Sequence, residues 1–312
     1  MLQQTQVARV LEVFESFMDR FPDPSALAVA ADKDLMQAWQ GLGYYRRARH
    51  LRSAARMIVD AHDGEVPLDV EALLALPGVG RYTAGSIASI VGGIRAPIVD
   101  GNITRFLARL DLDDASVESQ DFSSRMWSRS ALLVEASGNP AVFNEGMMEF
   151  GAMVCTPVMP SCEQCPVQRF CKARRHGMTN EVPKPKQRKA RQSLHVHSVI
   201  IRRNGRVLME QRPDAGLWAG MWQPPSVESA RRMSNDQLLA GLSLPMKSIQ
   251  WRSTIERVLT HRLVHMHVHV GTLVSGARIA VGVDKAWVHP SEFDQYPISN
   301  ATHAALAEAM AD

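Results

Sequence analysis

Residues 76–85 constrain the fold of this chain more than any other stretch, because they predict two helices joined by a very short turn. An apolar helix is expected to end near Leu74, and small residues open a second helix at Tyr82. Gly78 and Gly80 lie in the turn and can take positive φ, which lets backbone N–H groups approach another molecule closely. The second helix N-terminus favours an anion such as a DNA phosphate; the alternative is a helix corner that glycine merely stabilises.

A single carboxylate follows this hairpin, at Asp100, between an apolar run and Gly101-Asn102. A partly buried acid is costly unless it is paired or used. The next helix is expected to begin directly behind Asp100, and its positive end would favour the ionised form. Asp100 is therefore a candidate functional carboxylate.

All four cysteines fall within one short window, at Cys155, Cys162, Cys165 and Cys171. In a protein without a signal peptide, such clustering favours a metal or cluster site over disulfides. Four thiolates can hold zinc or an iron–sulfur cluster. The spacing of six, two and five residues differs from that of paired zinc ribbons but leaves both possibilities open.

Length and composition predict two globular domains, since 312 residues with 46% hydrophobic content can form two cores. The sequence has no apolar run of the roughly twenty residues that a membrane span needs, and residues 1–6 do not resemble a signal peptide. We expect a soluble, cytoplasmic, monomeric protein. Basic runs at 46–49, 172–175 and 184–191 are each typical of a solvated face, but together with the hairpin they favour a phosphate backbone as partner.

Hydrophobic periodicity divides the chain. Residues 1–172 predict an all-α region whose first helix begins at Met1 without a capping residue. Residues 173–193 are basic and contain prolines, which is typical of a linker. Residues 194–312 predict a smaller α+β domain, in which Asn204-Gly205 between two apolar runs indicates a type I′ hairpin.

Three alternate histidines, His265, His267 and His269, predict a half-buried strand. The histidine face of that strand is expected to be solvated. Zinc binding by the three side chains is the less favoured alternative, although imidazole is a common zinc ligand.

Four motifs together resemble the MutY-type adenine DNA glycosylases of the helix-hairpin-helix, endonuclease III-like superfamily. They are Met1–Gln6, Gly41-Leu42-Gly43-Tyr44-Tyr45, the 76–85 hairpin with Asp100-Gly101-Asn102, and the cysteine pattern. The resemblance continues through Gly216–Trp222 and the strand at 261–267, and so covers nearly the whole chain. It implies an all-α glycosylase domain over 1–172 with a [4Fe-4S] loop, and a Nudix-like domain over 194–312.

The resemblance also implies the reaction. The family removes adenine mispaired with 8-oxoguanine or guanine in double-stranded DNA by hydrolysing the N-glycosidic bond, after the adenine has been flipped out of the duplex. By this comparison Asp100 stabilises an oxocarbenium-like sugar, and Tyr82 and Asn102 are its neighbours in the pocket. Tyr82 stands where bifunctional relatives carry a lysine, which implies a monofunctional enzyme. The four cysteines would hold the cluster, which supports a basic loop.

The resemblance assigns DNA contacts in both domains. The residues concerned are Gln3, Gln4, Leu42 and Tyr44, which align with positions that wedge into the duplex, and Gly78 and Gly80, which would hold its backbone. His265 and His267 match the strand that recognises 8-oxoguanine, but Val264 stands where the family carries a serine. No dense set of glutamates follows Trp222, so we expect recognition without pyrophosphate hydrolysis.

One catalytic residue is missing from the printed sequence. The family's catalytic glutamate stands two positions before the methionine aligned with Met1, and Glu145 is not assigned its role. General acid help contributes about 10²–10⁴ in rate, so this chain alone is expected to excise adenine very slowly. Either the sequence begins at an internal methionine of a longer active protein, which the uncapped first helix favours, or it is a non-catalytic DNA-binding or damage-sensing paralogue.

Overall fold

The computed structural model describes residues 1–184 and 190–311, and its contacts group the chain into two compact units. We call Ser53–Arg188 the helical unit, and Met1–Arg52 together with Lys189–Asp312 the mixed unit. The domain bounds at 172 and 194 stay predictions. Part of the predicted linker, residues 185–189, lies outside the described residues.

The region before residue 185 is helical, as the sequence predicts. Its helices are α1 (Val7–Arg20), α2 (Pro24–Ala28), α3 (Asp32–Ala38), α4 (Arg46–Ala61), α5 (Val70–Ala75), α6 (Arg81–Ser86), α7 (Gly101–Asp111), α8 (Gln120–Glu135), α9 (Pro140–Met153) and α10 (Lys172–Arg175). A π-helical turn, Ile87–Val91, continues α6. In the described part of the chain, no helix has the length and apolar character needed to cross a membrane.

Helix α1 corrects the expectation that the first helix begins at Met1. It begins at Val7, after Gln6 in an extended conformation. Gln4 has a φ of 58°, which a right-handed helix does not accommodate. The first six residues therefore form a separate, non-helical segment.

The α5–α6 hairpin forms as predicted, but its two glycines differ. Gly78 has a φ of 79°, whereas Gly80 has a φ of −95° and serves as the extended residue before α6, so of these two only Gly78 uses the positive φ that glycine permits. Helix α6 also contains Gly85, where an added Cβ would lie 2.3 Å from the carbonyl oxygen of Pro97. Only a residue without a side chain allows the segment before α7 to pass this close to α6.

Two buried polar side chains hold that segment from the other side. Ser130 Oγ on α8 donates to the carbonyl of Ile98 at 2.8 Å, and Asn144 Nδ2 on α9 donates to the carbonyl of Ala96 at 2.9 Å. Apolar residues of α7, α8 and α9 complete the core around Ile98. The backbone that leads into α7 is thereby fixed on several sides.

The rest of the mixed unit is built on a sheet, confirming the predicted α+β class. Its strands are β1 (Gln192–Arg203), β2 (Arg206–Gln211), β3 (Trp222–Gln223), β4 (Ser226–Ser229), β5 (Met246–Val258), β6 (Arg262–Leu273) and β7 (Lys285–Val288). Strand order is β3-β2-β1-β6-β5, with β4 beside β1 and β7 beside β2, and only the β1–β6 pairing among these is parallel. Asn204 and Gly205 have φ of 51° and 72°, as the predicted type I′ turn requires.

Helices cover both faces of this sheet. Helix α12 (Asn300–Met310) packs on an apolar face that includes Val264 and Met266, and α11 (Asn235–Gly241) packs on the opposite face beside Val199. Residues 1–52 are attached to the same unit by hydrogen bonds. Tyr44 Oη lies 2.6 Å from Thr260 Oγ1 in the β5–β6 turn, and Gln37 Nε2 donates to the carbonyl of Asp294 at 2.9 Å.

The contact between α7 and α9 generates a stability prediction. A Cβ at Gly151 would lie 2.8 Å from Asn102 Cβ and 2.9 Å from its carbonyl oxygen, so Gly151→Ala should lower the free energy of unfolding by about 1–3 kcal/mol. Gly146 lies on the same helix with no heavy atom within 4 Å of such a Cβ. Gly146→Ala should therefore raise the free energy by about 0.5–1 kcal/mol. Urea unfolding checks both, and equal effects would contradict the packing.

Candidate active site

Asp100 is the residue that begins α7. Its backbone is extended, and its Oδ1 accepts a 2.7 Å hydrogen bond from the backbone N–H of Ile103. This capping bond fixes Oδ1 at the start of α7. Oδ2 makes no hydrogen bond within the described residues, so one oxygen is held by the helix and the other can face a positively charged group.

The other two predicted pocket residues lie in the same unit. Tyr82, on α6, packs against the apolar cluster that contains Ile98 and Ile103, close in sequence to Asp100 on either side. Its hydroxyl lies 2.9 Å from the sulfur of Met148 on α9, a weak acceptor. Asn102 occupies the first turn of α7.

Arg105 is a residue that the sequence analysis missed. Its Nη2 donates to Asn102 Oδ1 at 3.0 Å and to the carbonyl of Gly151 at 2.5 Å, while its Nε donates to the carbonyl of Cys155 at 2.7 Å. Burial lowers the pKa of Arg105, and the nearby Cys155 and Asp100 oppose that shift. The available signal was the spacing of three residues from Asn102, which places both on one helix face.

The four cysteines line one cavity. Arg109, Arg174 and phenyl rings of α7 and α9 also line it. The lining cysteines are Cys155, Cys162, Cys165 and Cys171. Arg109 Nη1 lies 3.4 Å from Cys155 Sγ, and Arg109 also donates to the two carbonyl groups that follow Cys155, at 2.7 and 3.0 Å. Burial, together with the neighbouring thiols, raises the pKa values of Cys162 and Cys165.

This donor set fits a metal group in its chemistry. Four thiols share one cavity, and two guanidinium groups beside it can compensate the negative charge that thiolates bring. Across residues 1–184 and 190–311, no group of three or more His, Cys, Asp or Glu side chains is already arranged to hold a metal ion. The geometry therefore supports a shared site without identifying its occupant.

The predicted wedge residues lie in the mixed unit and differ in exposure. Gln3 and Gln4 are exposed, Tyr44 is 48% exposed, and Leu42 is buried at 4%. Gln4 and Tyr44 both have positive φ, at 58° and 48°, which is uncommon for residues other than glycine. Backbone strain of this kind clusters at functional sites.

The histidine strand corrects the expectation of a solvated face. His267 and His269 are each 3% exposed. The parallel β1–β6 register places His195 opposite His265 and His197 opposite His267. The first pair of rings is stacked with centroids 4.6 Å apart, and the second pair is tilted by 31° with centroids 4.5 Å apart. His195 and His197 also alternate in the sequence, but periodicity within one strand does not show which strand lies beside it.

The two predicted recognition histidines have different partners. His265 Nδ1 lies 3.1 Å from Glu256 Oε1, and its side chain is 18% exposed. His267 is bonded through both ring nitrogens, to His195 Nδ1 and to Thr254 Oγ1, each at 2.9 Å. Of the two, only His265 presents part of its ring to solvent.

Hydrogen bonds fix the tautomers of two further histidines. The backbone N–H of Met233 donates to His197 Nε2 at 3.1 Å, so neutral His197 carries its proton on Nδ1 and donates to His269 Nε2 at 3.2 Å. His269 then carries its proton on Nδ1, a buried atom with no partner among the described residues. Burial, reinforced by neighbouring histidines and Arg232, lowers the pKa values of His197 and His269 to about 4.

Comparisons with known proteins match both halves of the chain. Residues 1–129 match the HhH-GPD superfamily of base excision DNA repair proteins, and residues 196–308 match the NUDIX domain. The human adenine DNA glycosylase is 32% identical over 364 aligned residues, covering 96% of this chain and 65% of the human protein. The mouse adenine DNA glycosylase is 32% identical over 352 residues, covering 96% and 68%. This chain thus spans about two thirds of the length of these relatives.

One solved structure, a non-covalent endonuclease III–DNA complex, aligns with 57% of this chain and 81% of its own. The sequence identity is 26% and the TM-score is 0.48.

The buried histidines generate a pH prediction. The pKa values of His197, His267 and His269 are lowered to about 4, so between pH 6.5 and 4 the unfolded chain binds protons that the folded chain does not. Stability should fall as pH falls through this window, by about 1.4 kcal/mol per pH unit for each histidine. The slope is measured by urea unfolding at several pH values.

Carboxylates also titrate near the lower end of that window, so the test compares variants. The double variant His197→Gln, His269→Gln should show a flatter slope, whereas replacement of the exposed His261 by Gln should leave the slope unchanged. A double variant with the wild-type slope would be evidence against buried, neutral histidines.

Proposed function

The chain belongs to the adenine DNA glycosylase family, and from this premise we propose that it acts in base excision repair, hydrolysing the N-glycosidic bond of adenine mispaired with 8-oxoguanine or guanine. The observation that carries the proposal is the position of Asp100, a half-buried carboxylate fixed by the Ile103 N–H with its second oxygen uncommitted among the described residues. A base inside the duplex is out of reach, so adenine must first leave the stack.

The proposed chemistry places Asp100 opposite the sugar. As the bond from C1′ to the base breaks, adenine leaves with the electron pair and the sugar becomes positively charged. A fixed carboxylate stabilises that charge without reorganisation, as in glycoside hydrolysis, and water then adds to C1′. The proton that adenine needs is assigned by resemblance to a glutamate two positions before Met1, so the proposed excision concerns a form that carries it.

DNA binding is proposed for both units separately. In the helical unit, Gly78 and Gly80 precede the first N–H groups of α6, which suit a phosphate. In the mixed unit, the exposed Gln3, Gln4 and Tyr44 support insertion beside the opened base pair. Leu42 is buried, so we propose that it supports these residues from the protein interior.

Recognition of 8-oxoguanine is proposed for His265, whose ring is partly exposed and oriented by Glu256. His267 would support this strand from within the sheet. Val264, where the family carries serine, is fully buried in the apolar core. The proposed recognition therefore uses the histidine and no hydroxyl at position 264.

We also propose a [4Fe-4S] cluster held by Cys155, Cys162, Cys165 and Cys171. Support comes from the shared cavity, the absence of other cysteines in the sequence and the family resemblance. Such a cluster, when bound, would tie the segment between the cysteines together. Arg109 would support that segment through its bonds to the backbone after Cys155.

The role of Asp100 is tested in a form that carries the upstream glutamate. Asp100→Asn should lower adenine release from an A:8-oxoguanine duplex by at least about 10²-fold, because the charge is lost. Asparagine is an equally good capping residue, so folding and duplex binding should be retained. Release is measured by strand cleavage after alkali.

Asp111→Asn, at the other end of α7, is the control and should release adenine at the unmodified rate. Retained excision by Asp100→Asn would remove Asp100 from its role. If the unmodified form binds the duplex and releases no adenine, the non-catalytic paralogue becomes the better description.

The cofactor is tested spectroscopically. The purified protein should absorb visible light and contain iron and sulfide. Cys165→Ser should reduce the visible absorbance and the iron and sulfide content, since one of four ligands is lost. Zinc in stoichiometric amount in a colourless protein would overturn the cluster.

A further inference from the structure

Arg47 binds an unusual number of backbone oxygens for a side chain that the reaction itself does not use. It lies in the first turn of α4. Its guanidinium donates to Thr5 Oγ1 and to the carbonyl groups of Met1, Gln3, Leu42 and Gly43, at 2.8 Å for Thr5, 2.6 Å for Met1, 3.1 Å for Leu42 and 3.2 Å for Gly43.

These oxygens belong to two separate segments, residues 1–5 and 42–43. Gln4 lies within the first segment and Tyr44 directly follows the second, and both residues have positive φ. Neither segment is helical or part of a strand, so regular backbone hydrogen bonding does not fix it. Arg47 is the shared partner that joins them.

The geometry requires arginine rather than any cation. A guanidinium presents its N–H groups in a rigid fork, whereas a lysine ammonium is one point with three donors. The five oxygens all accept from Nη1 or Nη2 of Arg47, and Nε is buried with no partner among the described residues. The guanidinium carbon also lies 5.4 Å from the ring centre of Tyr44 and 5.5 Å from that of Trp39. Arg47 therefore binds the backbone beside Tyr44 and faces its ring.

Thr5 closes the arrangement. Its Oγ1 accepts from Arg47 Nη2 at 2.8 Å and donates to the carbonyl of Leu42 at 3.2 Å. The two segments are thus joined directly by Thr5 as well as through Arg47. A hydroxyl is needed because one atom must both accept and donate.

We propose that Arg47 is a positioning residue for opening the DNA duplex: it holds Gln3, Gln4 and Tyr44 in one arrangement before DNA binds. Fixing these side chains in advance reduces the conformational entropy lost on binding. The inference rests on the proposed DNA-binding function. Arg47 acts through the backbone of the two segments and not by contact with phosphate.

The test uses the chain as printed and a duplex with 2-aminopurine opposite 8-oxoguanine, since opening is measured without excision. Fluorescence of 2-aminopurine reports unstacking, and anisotropy gives the Kd at several salt concentrations. Arg47→Lys should reduce the opened fraction about tenfold, as expected for loss of charged hydrogen bonds. The salt dependence of binding should stay unchanged, because no phosphate contact is lost.

Two sets of variants accompany it. Arg56→Lys makes the same chemical change at an exposed arginine of the same helix, outside the basic run at 46–49, and should open the duplex as the wild type does. Thr5→Ser keeps the hydroxyl and should also match the wild type, whereas Thr5→Val should reduce opening. The threonine pair decides the question if Arg47→Lys fails to fold by circular dichroism.

Several results would overturn the inference. These are wild-type opening by Arg47→Lys, an equal loss in Arg56→Lys, a salt slope lowered by about one in Arg47→Lys, and, if that variant is unfolded, equal opening by Thr5→Ser and Thr5→Val. A wild-type chain that neither binds nor opens the duplex would overturn the proposed DNA function together with this inference. If the wild type binds and opens the duplex, and the folded Arg47→Lys variant opens it equally well, the inference about Arg47 is overturned while the proposed DNA function stands.

Discussion

The hydrogen bonds from Arg105 and Arg109 to the backbone that follows α9 are the contacts on which the candidate site of the helical unit most depends. The two side chains lie four residues apart on α7 and reach consecutive parts of one segment, the carbonyl of Cys155 and those of the next two residues. Arg105 also holds Asn102. The start of α7, with Asp100 as its cap, and the cysteine segment therefore share one support.

Close backbone approach sets where that helix can begin. Gly85 admits the carbonyl of Pro97 on one side, and Gly151 admits the backbone of Asn102 on the other. Between these contacts the chain turns from an extended segment into α7, and Asp100 stands at the turn. Gly85 and Gly151 therefore position the Asp100 carboxylate as much as its own hydrogen bond does.

Local patterns explain what the sequence could predict. The hairpin at 76–85, the helix behind Asp100 and the turn at Asn204-Gly205 depend on neighbours in the chain, and all three form. Gly80 shows the limit of such reasoning, because glycine permits positive φ without requiring it. Its conformation is decided by the start of α6.

Other features depend on partners that are distant in sequence. Burial of His267 and His269 follows from a parallel strand some seventy residues earlier, which periodicity within β6 does not reveal. Arg47 and Arg105 donate to backbone carbonyl groups. Every residue has a carbonyl group, so the types of residue in the sequence do not indicate which ones these arginines contact. The roles proposed for Asp100, Tyr82 and Asn102 come from the family resemblance, because no spacing rule contains them.

The hydrogen-bonded chain from Met233 through His197 to His269 has a direction, since each N–H points to the next ring. Its members are therefore energetically coupled. Replacing His197 alone removes both an acceptor for Met233 and a donor for His269, whereas a second replacement at His269 also removes the buried N–H that lacks a partner. In a double-mutant cycle the two losses of unfolding free energy would therefore not add. The buried histidines of this sheet would contribute to stability as one coupled group.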